Sequence, residues 1–363
     1  MKFLKRGRRE GRVRARRVFL PLVLISLLVS SASIARSARS SDPTAVGRSV
    51  QKTPCQDGFH IAYEWTDPRG ALQKIDISIS RSELDASEQA LGISIGEFRE
   101  FAIESEAKIR QEEGLSALDI ARQIVERSSD PDWCQVSKDP TSDFNIIMRT
   151  NSTGRPESDA EIEKILRTNR QKWEASQKKI YTRLEARLKE YAGEHGMEIT
   201  PRGIAVNYKS LVRTNVARLR PLAEEFKRTC GSSKKRLLEA VLSFVQNIPY
   251  LKTLPVTDGK YSAGVAVPLR VLVDDAGDCD SKAVLFASLW LNLCNYRTIL
   301  IRVPEHMLVG VAVPFVEGAT VDLHSTRYVL LELSCGLKLL PGEVTQYAAD
   351  FIRSQNLKYQ IVN

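Results

Sequence analysis

One cysteine of the chain stands where a thiol could act as a nucleophile. Cys279 lies in the segment Gly-Asp-Cys-Asp-Ser-Lys-Ala, directly before an apolar run that is typical of a buried helix. This order predicts a cysteine at a helix start, where free backbone N–H groups and the helix dipole favour the thiolate. The carboxylates of Asp278 and Asp280 oppose thiolate formation, so a neighbouring base is needed.

A histidine and a carboxylate follow Cys279 in the chain and could complete such a site. His306 stands at the start of a predicted strand, and Glu332 lies in a later strand between two leucines. An imidazole within hydrogen-bond reach takes the thiol proton, and a carboxylate behind the ring fixes its tautomer and stabilises the imidazolium. Cys279, His306 and Glu332 are therefore the candidate catalytic residues for acyl transfer from an amide through a thioester.

Each of these residues also has a purely structural interpretation. A buried cysteine is usually inert packing, and a lone histidine is usually structural. Glu332 alternates with leucines and could face solvent. His324, in the connection between the two strands, is a rival base, although a loop holds an imidazole less firmly. The pairing of His306 with Cys279 favours the catalytic interpretation.

No metal ion or cofactor is expected. The acidic residues between 274 and 280 lack the spacing of an EF-hand loop. The cysteines and histidines lack paired zinc-ligand spacing, and no glycine-rich phosphate-binding loop is present. The expected partner is a peptide or protein substrate, and the oligomeric state stays open.

The net charge of +9 does not indicate a nucleic-acid binder. The first 17 residues contain nine Lys or Arg and one Glu, which leaves 44 basic and 43 acidic residues in the rest of the chain. Because the body is nearly neutral, we expect no nucleic-acid partner.

The basic start precedes an apolar run from Val18 to Val29 and then small residues. This pattern predicts a secretory signal peptide in residues 1–35, and an uncleaved membrane anchor is the alternative. Either interpretation predicts an exported protein, periplasmic or extracellular, with membrane contact only through this segment. Six cysteines would then face an oxidising compartment, and Cys55 with Cys134 is the favoured bridge.

The remaining chain divides by composition and periodicity. Residues 36–52 have the composition of a solvated linker, and 53–152 predict an N-terminal α+β accessory domain with a β-hairpin, a helical region at 82–128 and a returning strand near 144–148. Residues 157–196 predict one long connecting helix.

In the region 200–363, apolar spacing predicts one amphipathic helix over 208–226 and another over 237–245, and residues 251–276 are rich in loop signals. A helix is predicted at about 279–294, followed by strands at 298–303, 307–313 and 328–333. Helices that precede strands predict an α+β core with a helix bundle packed on an antiparallel sheet.

Several segments of the C-terminal part resemble the transglutaminase-like superfamily, whose core is related to papain-type cysteine peptidases. The matching segments are Phe-Val-Gln-Asn-Ile-Pro-Tyr at 244–250, Gly-Asp-Cys-Asp-Ser-Lys-Ala at 277–283, the strand-borne His306, and Leu-Glu-Leu-Ser at 331–334. The resemblance implies a transglutaminase-like domain over 200–363. The chain departs from the family pattern in two places. Glu332 stands where the family more often has Asp, and Met307 and Leu308 follow His306 where the family often has a small residue and Trp.

The resemblance implies that Cys279 is the nucleophile, His306 the general base and Glu332 the residue that orients the imidazole. The expected function is hydrolysis of peptide or protein amides, as a cysteine peptidase or amidase of the cell envelope. Two alternatives stay open. One is a cross-linking or deamidating transglutaminase, and the other is a non-catalytic binding or assembly module that keeps the fold.

Overall fold

The computed structural model describes residues 11–13, 48–113, 134–139, 142–148 and 156–363, apart from 258, 335 and 355–356. The predicted signal segment 1–35 lies outside these residues except for 11–13, and most of the predicted linker also lies outside them. The described chain is mixed α+β, which confirms the predicted fold class, and every strand pair in its sheets is antiparallel. No helix in the described ranges is long and apolar enough to span a bilayer.

Sixteen strands and nine helices occur among the described residues. In chain order the first of them are β1 (Gly11–Val13), β2 (Arg48–Cys55), β3 (Gly58–Thr66), β4 (Leu72–Ser80), α1 (Arg81–Gln89), β5 (Ile93–Ser94), α2 (Ile95–Glu113), β6 (Cys134–Asp139), β7 (Ser142–Met148) and α3 (Pro156–Glu194). The remaining elements are β8 (Met197–Thr200), β9 (Gly203–Val206), α4 (Tyr208–Val216), α5 (Arg220–Cys230), α6 (Lys234–Asn247), β10 (Val256–Thr257), β11 (Lys260–Tyr261), α7 (Pro268–Asp274), α8 (Cys279–Leu293), β12 (Thr298–Val303), β13 (His306–Val311), β14 (Thr320–Leu323), β15 (Thr326–Leu331), α9 (Gln346–Arg353) and β16 (Lys358–Ile361).

The described residues form two compact units. One comprises 11–13 and 96–190, and the other comprises 48–95 and 191–363. The first contains the sheet β1-β7-β6. All candidate catalytic residues lie in the second, the larger of the two.

The predicted N-terminal hairpin is confirmed as β3 and β4. Asp67 closes its turn, because the carboxylate Oδ1 accepts the backbone N–H groups of Arg69 and Ala71, each at 2.9 Å. The period-two pattern turns Ile61 and Trp65 to the buried face. Alternation in the sequence therefore correctly predicted which face is apolar.

This hairpin belongs to the same compact unit as the C-terminal elements, whereas the sequence prediction grouped it with residues up to 152. The indole of Trp65 packs against Phe226 and Phe244 and donates through Nε1 to Ser243 Oγ at 2.9 Å. The hydroxyl of Tyr63 donates to the backbone oxygen of Leu272. Large aromatic side chains bury most of their area only against a second layer, and helices α5 and α6 supply that layer.

Two predicted helical stretches are each broken in the structure. The region 82–128 is interrupted after α1 at Gly92, whose φ of +94° lies in the left-handed region that favours glycine. Helix α2 then ends at Glu113, and 114–128 lie outside the described residues. The apolar set between 208 and 226 forms α4 and α5, because Pro221 stands in the first turn of α5 and cannot continue a helix.

The second unit places a helix on a five-stranded sheet, as the order of helices and strands predicts. The sheet has the order β14-β15-β13-β12-β16, and α8 packs on β13. Residues on all faces of α8 are buried, which explains why its sequence is apolar all round. The helix that begins with Cys279 is thereby fixed against the strand that begins with His306.

Candidate active site

Cys279 is the first residue of α8, as the sequence predicts. Asp278 caps this helix: its carboxylate Oδ1 accepts the backbone N–H of Ser281 at 2.9 Å. Gly277, the residue before this cap, is hydrogen bonded to the segment that follows α6. Its N–H donates to Pro249 O at 3.1 Å, and its oxygen accepts the N–H of Leu251 at 3.2 Å. The position of the sulfur is thus set by backbone hydrogen bonds on both sides of the helix start.

The surroundings of Cys279 raise the pKa of its thiol, whereas the helix start alone predicts a lowered pKa. Burial is the largest cause, and the carboxylates of Asp280 and Asp278 add to it; together they raise the pKa of Cys279 to about 12. The thiol donates a hydrogen bond to Asp280 Oδ1 at 3.3 Å. The backbone N–H of Met307 acts in the opposite direction and lowers the pKa of the thiol.

Helix α8 packs directly on β13. The helix begins with Cys279, and the strand begins with His306. The nucleophile and base predicted from sequence therefore lie on adjoining elements of one compact unit.

His306 directly follows a strained two-residue turn. Val303 and His306 pair across the hairpin of β12 and β13, with Pro304 and Glu305 at its tip. Glu305 has a φ of +56°, a left-handed conformation that costs a non-glycine residue about 1–2 kcal/mol. Tyr347 of α9 donates its hydroxyl to Pro304 O at 2.9 Å, so a bond from another element holds this turn in place.

The imidazole of His306 is backed by a buried carboxylate. Its Nε2 contacts Oε1 of Glu332, whose side chain is fully buried directly after β15. A carboxylate on Nε2 favours the tautomer with the proton on that nitrogen, which leaves Nδ1 as the acceptor for a thiol proton. Glu332 thus occupies the place of an orienting acid.

Thr345 holds the other oxygen of this carboxylate. Glu332 Oε2 accepts the backbone N–H of Thr345 at 3.3 Å and its hydroxyl at 3.2 Å. Thr345 is also the N-cap of α9, so the buried charge lies at a helix N-terminus, where the dipole favours an anion.

Two polar side chains fix the loop that contains Glu332. Gln246 of α6 donates through Nε2 to Glu332 O at 2.8 Å and to Leu339 O at 3.0 Å. Lys282 of α8 is buried and donates to Leu333 O at 3.3 Å. Gln246 and Lys282 belong to the segments 244–250 and 277–283, which carry the family resemblance. Both side chains donate hydrogen bonds to the loop that contains Glu332.

Two other histidines lie away from this arrangement. His324, the rival base, is exposed in the turn between β14 and β15, and its Nε2 contacts the hydroxyl of Tyr359 at 2.6 Å. His60 is exposed on β3 and contacts Ser78 Oγ at 3.3 Å. His306 remains the candidate base, because it belongs to β13, the strand on which α8 packs.

The cysteine predictions have a mixed outcome. Cys55 is an exposed free thiol, so the predicted Cys55–Cys134 bridge is wrong: Cys55 ends β2 at the exposed hairpin turn before Gly58. Cys294 is buried and free, as the sequence predicts for a small hydrophobic residue. Among the described side chains, no group of three or more His, Cys, Asp or Glu has the arrangement of a metal site.

Sequence reasoning missed Tyr208, Thr345 and Arg302 as neighbours of the site. Tyr208 donates its hydroxyl to Asp280 Oδ2, and the guanidinium of Arg302 lies 5.5 Å from the centre of the Tyr208 ring. None of the three has a local pattern that distinguishes it. Lys282 did have a detectable signal, because a lysine within an otherwise apolar helix needs a specific partner.

Comparison with protein-family models, with curated protein sequences and with solved structures finds no match to this chain.

Proposed function

We propose that this chain is an exported, transglutaminase-like protein that uses Cys279 for acyl transfer on peptide or protein amides, with water as the acceptor. One observation carries the proposal. Helix α8, which begins with Cys279, packs on β13, which begins with His306, and the imidazole of His306 contacts the buried carboxylate of Glu332. A structural cysteine has no need of such an oriented base.

The proposed reaction begins with transfer of the thiol proton from Cys279 to Nδ1 of His306. The sulfur then forms a bond to the amide carbon, and the carbonyl π electrons move to oxygen. The backbone N–H of Cys279 is a candidate donor to this oxyanion. Collapse breaks the C–N bond, and the imidazolium protonates the departing amine. Water, deprotonated by His306, attacks the thioester and releases the acid and the thiol.

Glu332 acts on this reaction through the ring. Its negative charge stabilises the imidazolium that forms in both steps, and its bond to Nε2 keeps Nδ1 directed away from it. We therefore expect Glu332→Gln to slow the reaction while leaving the thiol in place. The glutamine keeps the shape of the side chain and lacks the charge.

A set of dipeptidyl acyloxymethyl ketones tests the proposal without knowledge of the substrate. These reagents alkylate a cysteine that is paired with an oriented imidazole. We expect modification of Cys279 to exceed that of Cys294 by at least about tenfold, and to be lost in His306→Ala. Cys294→Ala is the matched control, because Cys294 is also buried and ends the same helix.

Turnover of dye-labelled casein, with and without a labelled primary amine, identifies the acceptor. Release of peptides that depends on Cys279 supports hydrolysis, and incorporation of the amine identifies cross-linking instead. Equal ketone labelling of Cys279 and Cys294 would contradict the enzymatic proposal and favour a binding module.

A further inference from the structure

The sulfur of Cys279 has neighbours with opposite chemical effects. The described side-chain hydrogen bond of the thiol goes to Asp280 Oδ1, at 3.3 Å. A thiol that donates to a carboxylate keeps its proton, because loss of that proton would place two negative charges side by side. The resting contact of the nucleophile is therefore with an anion.

Asp280 is itself held in place from another element. Its second oxygen, Oδ2, accepts the hydroxyl of Tyr208, which belongs to α4 and is buried. The guanidinium of Arg302 on β12 lies 5.5 Å from the centre of the Tyr208 ring. The side chain at 280 is thus positioned by contacts that come from outside its own helix.

We propose that Asp280 is a positioning residue that keeps the resting thiol of Cys279 protonated, so that the nucleophile forms only when this bond is exchanged for one to His306. The proposal deepens the proposed function, since it concerns control of the same site. Tyr208 holds the carboxylate in the position that accepts the hydrogen bond of the thiol.

The other titratable groups around the sulfur do not supply this contact. Asp278 is occupied as the helix cap, because its carboxylate accepts the backbone N–H of Ser281. Tyr250, on the chain after α6, pairs with Gly277 two residues before the cysteine, and burial is the largest cause of the raised pKa of its phenol.

The titratable residue of β13 is His306, whose Nε2 contacts Glu332. The ring and this carboxylate form the pair to which the thiol proton would move. Only Asp280 presents a carboxylate oxygen to the thiol in the described structure.

As a consequence, the Cys279 thiol would be unreactive in the absence of substrate. A substrate carbonyl that enters between the sulfur and Asp280 would separate the two groups and leave His306 as the acceptor of the proton. Such a resting state protects a cysteine in an oxidising compartment, because the thiolate is the form that oxidants attack.

The test measures the rate at which iodoacetamide alkylates Cys279 as a function of pH, by peptide mass spectrometry, in the full chain. Asp280→Asn keeps the shape of the side chain and removes its charge, and Asp280→Glu restores the charge. Asp274→Asn is the matched control, because Asp274 is an exposed carboxylate at the end of α7. Cys294 serves as an internal thiol in every sample.

In Asp280→Asn we expect the midpoint of the Cys279 profile to fall by at least about one pH unit. The rate near neutral pH should rise about threefold to tenfold, because each unit yields tenfold more thiolate of somewhat lower nucleophilicity. Asp280→Glu should keep a high midpoint, and Asp274→Asn should match the native protein. An unchanged midpoint in Asp280→Asn overturns the proposal.

The Cys294 rate shows whether a variant is folded. If Asp280→Asn exposes Cys294, Asp280→Ser replaces it, with the same expected shift, because serine is tolerated in the first turn of a helix. A shifted midpoint without ketone labelling would support the role of Asp280 and contradict the enzymatic proposal. An unshifted midpoint with normal ketone labelling would do the reverse.

Discussion

The hydroxyl of Thr345 offers a direct test of how the buried acid is held. It donates to Glu332 Oε2 at 3.2 Å and accepts the backbone N–H of Ala348 at 3.4 Å. Thr345→Val removes this hydroxyl and preserves the branched shape of the side chain. The substitution therefore removes a helix cap and a donor to a buried carboxylate at the same time.

The expected loss of stability follows from these two bonds. Loss of an N-cap costs about 1 kcal/mol. Loss of a hydrogen bond to a charged group costs about 1.5–3 kcal/mol. The backbone N–H of Thr345 and the ring of His306 still contact Glu332 in this variant. These contacts continue to offset part of the free-energy cost of burying the carboxylate. We therefore expect Thr345→Val to lower the free energy of unfolding by about 2–4 kcal/mol.

Urea denaturation followed by tryptophan fluorescence measures the effect, with Trp65 and Trp290 as buried reporters in the same compact unit. Thr345→Ser keeps the hydroxyl and should lose less than about 1 kcal/mol. Thr326→Val, at a position whose hydroxyl has only an exposed contact with Arg297, should change stability by less than about 0.5 kcal/mol. Equal stability of Thr345→Val and Thr345→Ser would refute the structural assignment of this hydroxyl.

Three further predictions concern the unit that contains the site. Trp65→Ala should destabilise it by about 3–5 kcal/mol in urea denaturation, and a loss below about 1 kcal/mol would contradict the packing of the hairpin on the helices. The raised pKa of Cys279, about 12, means that its contribution to stability is fully present below the unfolded pKa and is lost as pH rises toward the folded value. Stability should therefore fall by up to about 1.4 kcal/mol per pH unit above about pH 8.5, and Cys279→Ala should show a shallower fall when urea midpoints are compared at two alkaline pH values. Gly277→Ala should cost about 1–3 kcal/mol, measured in the same way, because a new Cβ would lie 3.2 Å from Cγ1 of Val271.

Much of the secondary structure could be predicted from periodicity. Strand β12 begins and ends at the predicted residues, and the predicted helix at 279–294 differs from α8 by one residue at its end. Short elements were missed. Helix α7, with seven residues, lies in a region that the sequence predicted as loops, because so few residues carry no clear period.

Chain breaks were the second source of error. Gly92 and Pro221 stand in stretches whose apolar spacing continues across them, and the spacing alone predicted uninterrupted helices. Packing of the hairpin on α5 and α6 likewise has no local signal, since Trp65 and Phe244 are 179 positions apart in the chain.

The sequence by itself determined the types and order of the groups that could react: a cysteine at a helix start, then a strand-borne histidine and a later carboxylate. These follow from local rules of capping and alternation, which act within a few residues. Only the tertiary structure decided the protonation state of the thiol, because that depends on burial and on Asp280 and Tyr208, which different elements bring together. It likewise decided the support of Glu332 by Thr345, since a charge inside a protein is stabilised by whatever donors the fold places within about 3 Å of it.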